Sequence, residues 1–204
     1  MMGNIKNVVF DLGGVLVDWN PRHLYRKIFI DENEMEWFLD EVCSPEWNLM
    51  QDGGRPFSVA ISELSAQYPE LSDKIALYFD RWEEMLGGEL VGTVEILEEL
   101  KSKGTPIYGL TNWSNETFPI AFSKYDCLKK LQGIVVSGDE KLLKPDPAIY
   151  RLLIERYKIK PSESVYIDDN KVNAEASAGL GFNYIHFTTS QDLRTRLRDL
   201  GLDV

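Results

Sequence analysis

Cysteine and long apolar runs are scarce in this sequence, and each scarcity argues against a class of protein. Of 204 residues, two are cysteines and two are histidines. Cys43 and Cys127 lie far apart without the spacing of a metal site, so we expect reduced thiols rather than a disulfide. No stretch approaches the roughly 18 apolar residues of a membrane span, and residues 1–6 lack the pattern of a signal peptide. We therefore expect a cytoplasmic protein with no membrane partner.

Basic residues are also outnumbered, with 22 lysines and arginines against 33 acidic residues and a formal net charge of −11. Such a charge repels a phosphate backbone, so no nucleic-acid partner is expected. Apolar residues are abundant: 44% of the chain is hydrophobic, which argues against long disordered regions. The length then allows one sizeable core, or a core with a small inserted domain.

Short apolar runs followed by turn residues recur along the chain and predict β-strands. Helical periodicity separates the later runs, for example at 147–157. Strands that alternate with helices predict an α/β fold, with a Rossmann-like parallel sheet and helices on both of its faces. The right-handed crossover rule places the carboxyl ends of these strands at one edge. The predicted strands are 8–10, 107–110, 134–136, 165–167 and 184–187.

The first two predicted strands lie about 95 residues apart, which is too far for a single crossover helix. The simplest interpretation is a helical-bundle cap inserted after the first strand. We expect residues 1–18 and 87–204 to form the core domain and residues 19–86 to form the cap. Apolar residues at three- and four-residue spacing predict helices throughout the insertion, at 32–43, 57–67 and 73–85.

Polar groups follow the first three predicted strands. Asp11 comes directly after the first, where open α/β sheets place their active sites, and suits a nucleophile or a metal ligand. The second ends at Thr111 and Asn112, whose hydroxyl and following N–H groups suit an anion, although this pair is also common in turns. After the third comes Lys144, next to Pro145. A solvated lysine and a functional one are equally compatible with that position.

Two adjacent carboxylates, Asp168 and Asp169, follow the fourth predicted strand. Their charges repel each other unless a cation neutralises them. An ordinary alternative is that Asp169 or Asn170 caps the next helix, but this explains only one of the two acids. Hard oxygen ligands from Asp11 and Asp169 suit Mg²⁺.

Together these four segments resemble the motif set of the haloacid dehalogenase-like hydrolase superfamily, in the right order and over nearly the whole chain. The closer resemblance is to a branch whose first motif reads Asp-x-Gly-[Gly/Asn]-Val and whose fourth has two adjacent aspartates. That branch includes bacterial sugar-phosphate phosphatases similar to glucose-1-phosphate phosphatase. The resemblance implies Mg²⁺-dependent hydrolysis of a small phosphomonoester, with sugar phosphates among the expected substrates.

The resemblance also implies a role for each strand-end residue. Asp11 matches the nucleophile that forms an aspartyl-phosphate. Thr111 matches the hydroxyl that binds a phosphoryl oxygen, and Lys144 matches the lysine that offsets negative charge. Asn112 and the cap residues Trp19 and Trp47 are expected to contact the substrate, although packing within the cap also explains a tryptophan. The expected metal ligands are Asp11, Asp169, the neighbouring Asp168 and the main-chain carbonyl of Gly13.

Gly13 departs from the pattern of many phosphatases with an aspartate nucleophile, which have a second Asp at this position. That carboxylic acid protonates the leaving alkoxide and later activates water, and such help is typically worth roughly 10²–10⁴-fold. Three explanations remain open. The leaving group is a good one, such as an anomeric hydroxyl; the protein is slow or no longer an enzyme; or another carboxylate substitutes, with Asp18, Glu46 and Asp52 as candidates.

Two other functions are compatible with parts of the pattern. A 2-haloacid dehalogenase also forms an ester on its aspartate and needs neither a metal nor an acid at position 13. Asp168 and Asp169 count against this function, because their charges would oppose a carboxylate substrate. A non-catalytic phosphate-binding relative is the third possibility, although the four motif residues are all present.

Overall fold

A five-stranded parallel sheet occupies the centre of residues 5–204, the part of the chain that this computed structural model describes. Residues 1–4, the start of the expected core domain, lie outside it. The sheet order is β5-β4-β1-β6-β7. The chain adds β4 and β5 on one side of β1 and then crosses to the other side of β1 to add β6 and β7. The strands are β1 Asn7–Phe10, β2 Val17–Trp19, β3 Leu86–Glu89, β4 Ile107–Thr111, β5 Gly133–Val136, β6 Ser164–Asp168 and β7 Asn183–His186.

Helices connect these strands and also fill the insertion between β2 and β3. Those of the insertion are α1 Arg22–Tyr25, α2 Glu32–Trp37, α3 Pro45–Asp52, α4 Phe57–Gln67 and α5 Ser72–Asp80. Those of the remaining chain are α6 Val91–Ser102, α7 Phe118–Lys124, α8 Ser137–Glu140, α9 Pro147–Tyr157, α10 Lys171–Ala178 and α11 Ser190–Asp199. Within residues 5–204, no helix is both long and apolar enough to cross a bilayer.

Helices cover both faces of the sheet. Neighbouring residues of β1 point to opposite faces and pack against different helices. Val8 packs into an apolar cluster with Ile96 of α6 and Leu193 of α11. Val9 packs on the other face, in a cluster that contains Ile149 of α9. The prediction of a Rossmann-like parallel sheet with helices on both faces and an inserted helical cap is therefore confirmed.

An antiparallel ribbon of β2 and β3, which the sequence pattern did not predict, leads into and out of the insertion. Trp19 lies in this ribbon and pairs with Leu86, although helices were expected throughout the segment. Gly87 is needed here, because a Cβ at that position would lie 2.1 Å from the carboxylate of Asp18. That carboxylate instead contacts the ring of His23 at 2.8 Å. We propose residues 19–86 as the cap, with the ribbon as its connection to the core.

Two of the predicted cap helices are less regular than expected. The segment 73–85 is divided, since α5 ends at Asp80 and a 3₁₀ turn, Trp82–Met85, follows Arg81, whose φ of −122° is not helical. The segment 32–43 continues beyond α2 as a wider π turn, Phe38–Val42. Both irregular turns contain buried side chains: Trp82 and Met85 in the first, Phe38 in the second.

Candidate active site

The nucleophile candidate lies at the centre of the sheet edge, directly after β1. The main-chain N–H of Asp11 donates to Ile167 of β6 at 2.8 Å, and its carboxylate accepts from the N–H of Leu12 at 2.7 Å. The next turn needs glycine at position 14. Gly14 has a φ of +73°, and a Cβ there would lie 2.2 Å from a carboxylate oxygen of Asp169. The missing side chain therefore lets Asp169 approach Asp11.

Lys144 is buried and joins two of the acidic groups. Its Nζ lies 3.0 Å from Oδ1 of Asp11 and 2.7 Å from Oδ2 of Asp168, and donates to the carbonyl of Leu110 at 3.2 Å. Asn112 holds the lysine main chain from both sides: its amide donates to the Lys144 carbonyl at 3.0 Å and accepts from the Lys144 N–H at 2.9 Å. Asn112 thus fixes the main-chain position from which the Lys144 side chain extends towards Asp11.

Asp11, Asp168 and Asp169 form one acidic cluster, with a carboxylate oxygen from each lying within 4.8 Å of the others. Asp168 is fully buried and both of its oxygens have partners. Oδ2 accepts from Lys144 and the hydroxyl of Tyr166, and Oδ1 accepts from the N–H of Asn170. Asp169 is exposed. Of the two adjacent aspartates, Asp169 is therefore the one that is open to a ligand.

Negative charge exceeds positive charge in this cluster. Burial raises the pKa of Asp11 well above its usual range; Lys144 opposes the shift, and the two neighbouring aspartates reinforce it. Burial likewise raises the pKa of Asp169, and Asp168 adds to the effect. Burial alone would lower the pKa of Lys144, but Asp11 and Asp168 hold it above its ordinary value. One lysine against three carboxylates leaves a site that fits a divalent cation with oxygen ligands.

Thr111 ends the strand beside β1 and is buried. Because Phe10 pairs with Gly109, the register places Thr111 one residue beyond the level of Asp11. The structure thus brings Asp11, Thr111 and Lys144 to one sheet edge, as the crossover rule predicts.

A cavity beside Gly13 joins the core to the cap. It encloses about 350 Å³ including its open mouth, and four of its walls are aromatic: Trp19, Phe57, Trp82 and Trp113. Polar groups also reach it from both sides, namely Asn112 from the core and Asn48 and Asp52 from α3. Aromatic walls with a few polar groups are the character of a small-molecule site.

The other predicted residues lie away from this cavity. Trp47 packs inside the cap, with its ring 5.0 Å from that of Tyr78 in an edge-on contact. Asp18 contacts His23 on the ribbon, and Glu46 is exposed on α3.

Sequence reasoning missed three of the aromatic walls: Phe57, Trp82 and Trp113. Trp113 carried a signal, since it directly follows the Thr111-Asn112 pair. Phe57 and Trp82 carried none, because they come from separate parts of the cap and only tertiary packing brings them to the site.

The chain belongs to the haloacid dehalogenase-like hydrolase family, whose model matches residues 5–181. It is a hydrolase of that family, as the four strand-end motifs implied. Among solved structures, it resembles a haloacid dehalogenase family enzyme of Bacteroides thetaiotaomicron in a magnesium complex, with a TM-score of 0.76 at 21% identity over 96% of this chain and 100% of that one. This likeness supports the fold.

The relatives in sequence include phosphatases and a dehalogenase. The chain is 26% identical to the sesquiterpene phosphatase astK of Aspergillus oryzae over 98% of each chain. It is 26% identical to a phosphorylated carbohydrates phosphatase of Thermotoga maritima, over 89% of this chain and 84% of that protein. Identity to the (S)-2-haloacid dehalogenase 4A of Burkholderia cepacia is 30%, over 45% of this chain and 39% of that protein.

Proposed function

We propose that this protein hydrolyses a small phosphomonoester through an aspartyl-phosphate on Asp11, with Mg²⁺ as its cofactor. One observation carries the proposal: a buried Asp11 lies beside Lys144, while Asp169 remains open to a cation at the same sheet edge. A carboxylate nucleophile, a fixed positive charge and an acidic metal site are the parts that phosphoryl transfer needs.

Each residue of the core has a role in this reaction. Asp11 attacks the phosphorus in line with the leaving oxygen, and Lys144 balances the charge of the nucleophile and the phosphoryl group. Thr111 donates its hydroxyl to a phosphoryl oxygen, and Asn112 keeps Lys144 in place. Mg²⁺, held by Asp11, Asp169 and the main-chain carbonyl of Gly13, would neutralise further phosphoryl charge. Asp168 acts through Lys144, because its own oxygens already have partners.

The aromatic cavity is the proposed site of the leaving group. A sugar ring presents apolar C–H faces that stack on aromatic rings, and its hydroxyls suit the amides of Asn48 and Asn112. Sugar phosphates are therefore the proposed substrates. The two phosphatase relatives, one named for carbohydrates and one for a sesquiterpene, support an organic monoester without deciding between these two kinds of alcohol.

Dehalogenation of a 2-haloacid is the second candidate, supported by the partial similarity to a haloacid dehalogenase. The acidic cluster argues against it, because the open carboxylate of Asp169 would repel a carboxylate substrate. The two reactions differ in their need for metal. EDTA should abolish phosphatase turnover and leave dehalogenase turnover intact.

The test is a panel of phosphomonoesters with Mg²⁺, including sugar 1-phosphates and 6-phosphates, with phosphate release as the readout. Asp11→Asn is the matched control for contaminating phosphatase, since the substitution keeps the shape of the side chain. The proposal expects turnover that requires Mg²⁺ and Asp11. Halide release from a 2-haloacid in EDTA would favour the dehalogenase, and no turnover by folded protein would favour a phosphate-binding role.

A further inference from the structure

We propose that Asp52 of the cap supplies the proton-transfer group that position 13 lacks, as the acid for the leaving group and then the base for water. This inference rests on the proposed phosphatase function. Its geometric basis is that Asp52 and Gly13 line the same cavity. A Cβ at Gly13 would lie 3.9 Å from the ring of Trp113, which is itself a wall of that cavity. An acid at position 13 and the carboxyl of Asp52 would therefore occupy one chamber.

The carboxyl of Asp52 lies between a hydrogen-bond donor of the cap and an N–H group of the core. Nδ2 of Asn48 donates to its Oδ2 at 3.0 Å, and the hydroxyl of Tyr78 in turn donates to Asn48 at 3.1 Å. From the core, the main-chain N–H of Ser114 lies near enough to lower the pKa of this carboxyl. These contacts orient Asp52 between cap and core.

The turn after Asp52 is docked directly on the core. The hydroxyl of Ser137 donates to the Asp52 carbonyl at 2.6 Å. Gly54, with a φ of +93°, passes so close that a Cβ would lie 2.8 Å from the carbonyl oxygen of Gly138. A residue on a cap helix is thereby fixed relative to Asp11, as a proton-transfer group must be.

The other two candidate carboxylates lack this placement. Asp18 is engaged with His23 on the ribbon, and Glu46 points to solvent from the first turn of α3. Asp52 is the member of the three that lines the cavity.

The electrostatic surroundings of Asp52 suit a group that must both give and take a proton. Burial raises its pKa to about 7, while the Ser114 N–H and the charge of Lys144 oppose the rise. Tyr78 of α5 is the other ionisable side chain coupled to it, and burial keeps Tyr78 neutral by raising its pKa. Both protonation states of Asp52 are therefore populated near neutral pH, which is the condition for efficient proton transfer.

The proton balance of the two steps is complete. In the first, Asp11 forms a bond to phosphorus as the bond from phosphorus to the leaving oxygen breaks, and protonated Asp52 gives its proton to that oxygen. In the second, ionised Asp52 takes a proton from water as the water oxygen bonds to phosphorus. Inorganic phosphate leaves, Asp11 regains its carboxylate, and Asp52 ends protonated as it began.

The test compares leaving groups in the full-length protein with Mg²⁺. Asp52→Asn should lower kcat/KM for an alkyl phosphate by about 10²–10⁴-fold, the usual value of general acid help. For 4-nitrophenyl phosphate, whose leaving group needs no proton, the loss should be below about tenfold. Glu46→Gln, on the same helix, should change neither value. Equal losses on both substrates would overturn the proposal, because a merely structural role does not depend on the leaving group.

Two further measurements test the proposal, one in wild-type protein and one in a double variant. In wild-type protein, kcat/KM for the alkyl phosphate should fall above pH 7 while that for 4-nitrophenyl phosphate does not; parallel profiles contradict the proposal.

Adding Gly13→Asp to Asp52→Asn should restore alkyl phosphate hydrolysis at least tenfold, and a folded double variant with no gain contradicts it. Absence of all turnover in wild-type protein would instead refute the phosphatase function itself.

Discussion

The two sides of the cavity hold carboxylates in opposite surroundings. On the core side, Asp11 has a lysine at 3.0 Å and two further aspartates close by. On the cap side, the carboxyl of Asp52 is bound by the Asn48 amide, and the Ser114 N–H and the charge of Lys144 lower its pKa. The first arrangement suits a nucleophile beside a bound cation, whose charge would favour the ionised carboxylate against the effect of burial. The second suits a group that carries a proton near neutral pH.

The core and the insertion also contribute different kinds of groups to the site. Strand ends of the sheet supply charge at fixed positions, because parallel strands end together at one edge. The inserted helices supply aromatic walls and the carboxyl of Asp52, which vary with the packing of the cap. Under the proposed function, the reaction type would depend on the core and the choice of alcohol on the insertion.

The largest effect expected is on the core side, from removal of the nucleophile. Asp11→Asn should lower kcat by at least about 10⁴-fold, because Asp11 is the carboxylate proposed to form the acyl phosphate. The measurement is steady-state phosphate release, with acid-quenched mass spectrometry to detect phosphorylation of the wild-type chain. Retention of more than about a hundredth of the activity by folded Asp11→Asn would refute the assignment of Asp11.

Lys144→Met should have the next largest effect, and on stability. Removal of the buried ammonium leaves Asp11 and Asp168 without their shared partner, and breaking a buried ion pair typically costs about 3–5 kcal/mol. Urea unfolding without metal measures the loss. Millimolar Mg²⁺ should recover part of it, since a cation that binds only the folded state stabilises that state.

The matched control for this variant is Lys171→Met. Lys171 is two-thirds exposed and its nearest carboxylate lies 3.7 Å away. Its loss should change the free energy of unfolding by no more than about 0.5 kcal/mol. Equal losses of unfolding free energy in the two lysine variants would contradict the prediction that the buried ion pairs of Lys144 stabilise the core side of the site.

On the cap side, Asp52 is expected to contribute its own share of the pH dependence of stability, beside that of Asp11, whose pKa is also raised. Asp52 has a pKa of about 7 in the folded protein against an ordinary value of 3.8, so the folded state binds more protons between those two values. The contribution of Asp52 to the free energy of unfolding therefore falls as pH rises through this window, by about 2 kcal/mol between pH 5 and 7. Asp52→Asn removes this contribution and makes the slope shallower, whereas Glu46→Gln keeps the wild-type slope. Parallel slopes for wild-type protein and Asp52→Asn in urea unfolding would contradict the prediction.

The core could be predicted from the sequence much further than the cap. Local apolar runs reveal strands, and a shared edge then brings Asp11, Thr111 and Lys144 together from topology alone. The ribbon escaped prediction because Val17–Trp19 is short and its partner, Leu86–Glu89, contains two glycines that resemble a turn. Their pairing spans about 70 residues, which no local pattern can show.

The same limit applies to the proposed proton-transfer group, Asp52. The sequence does not distinguish Asp18, which directly precedes the cap, from Glu46 and Asp52, which lie in it. What separates Asp52 is the docking of Gly54 on Gly138, a contact between distant parts of the chain. Such contacts depend on the final packing of cap against core, whereas charge at the strand ends depends only on the order of strands.

The smallest expected effects compare two tryptophans of the cap side, both predicted to contact substrate. Trp19 lines the cavity, so Trp19→Phe should raise KM by about threefold, or about 0.6 kcal/mol, as part of a stacking surface is lost. Trp47 packs among Phe57 and Tyr78 instead. Trp47→Phe should leave KM within twofold and lower the free energy of unfolding by about 1 kcal/mol. Substrate titration and urea unfolding of both variants decide the matter, and a rise in KM for Trp47→Phe alone would reverse these roles.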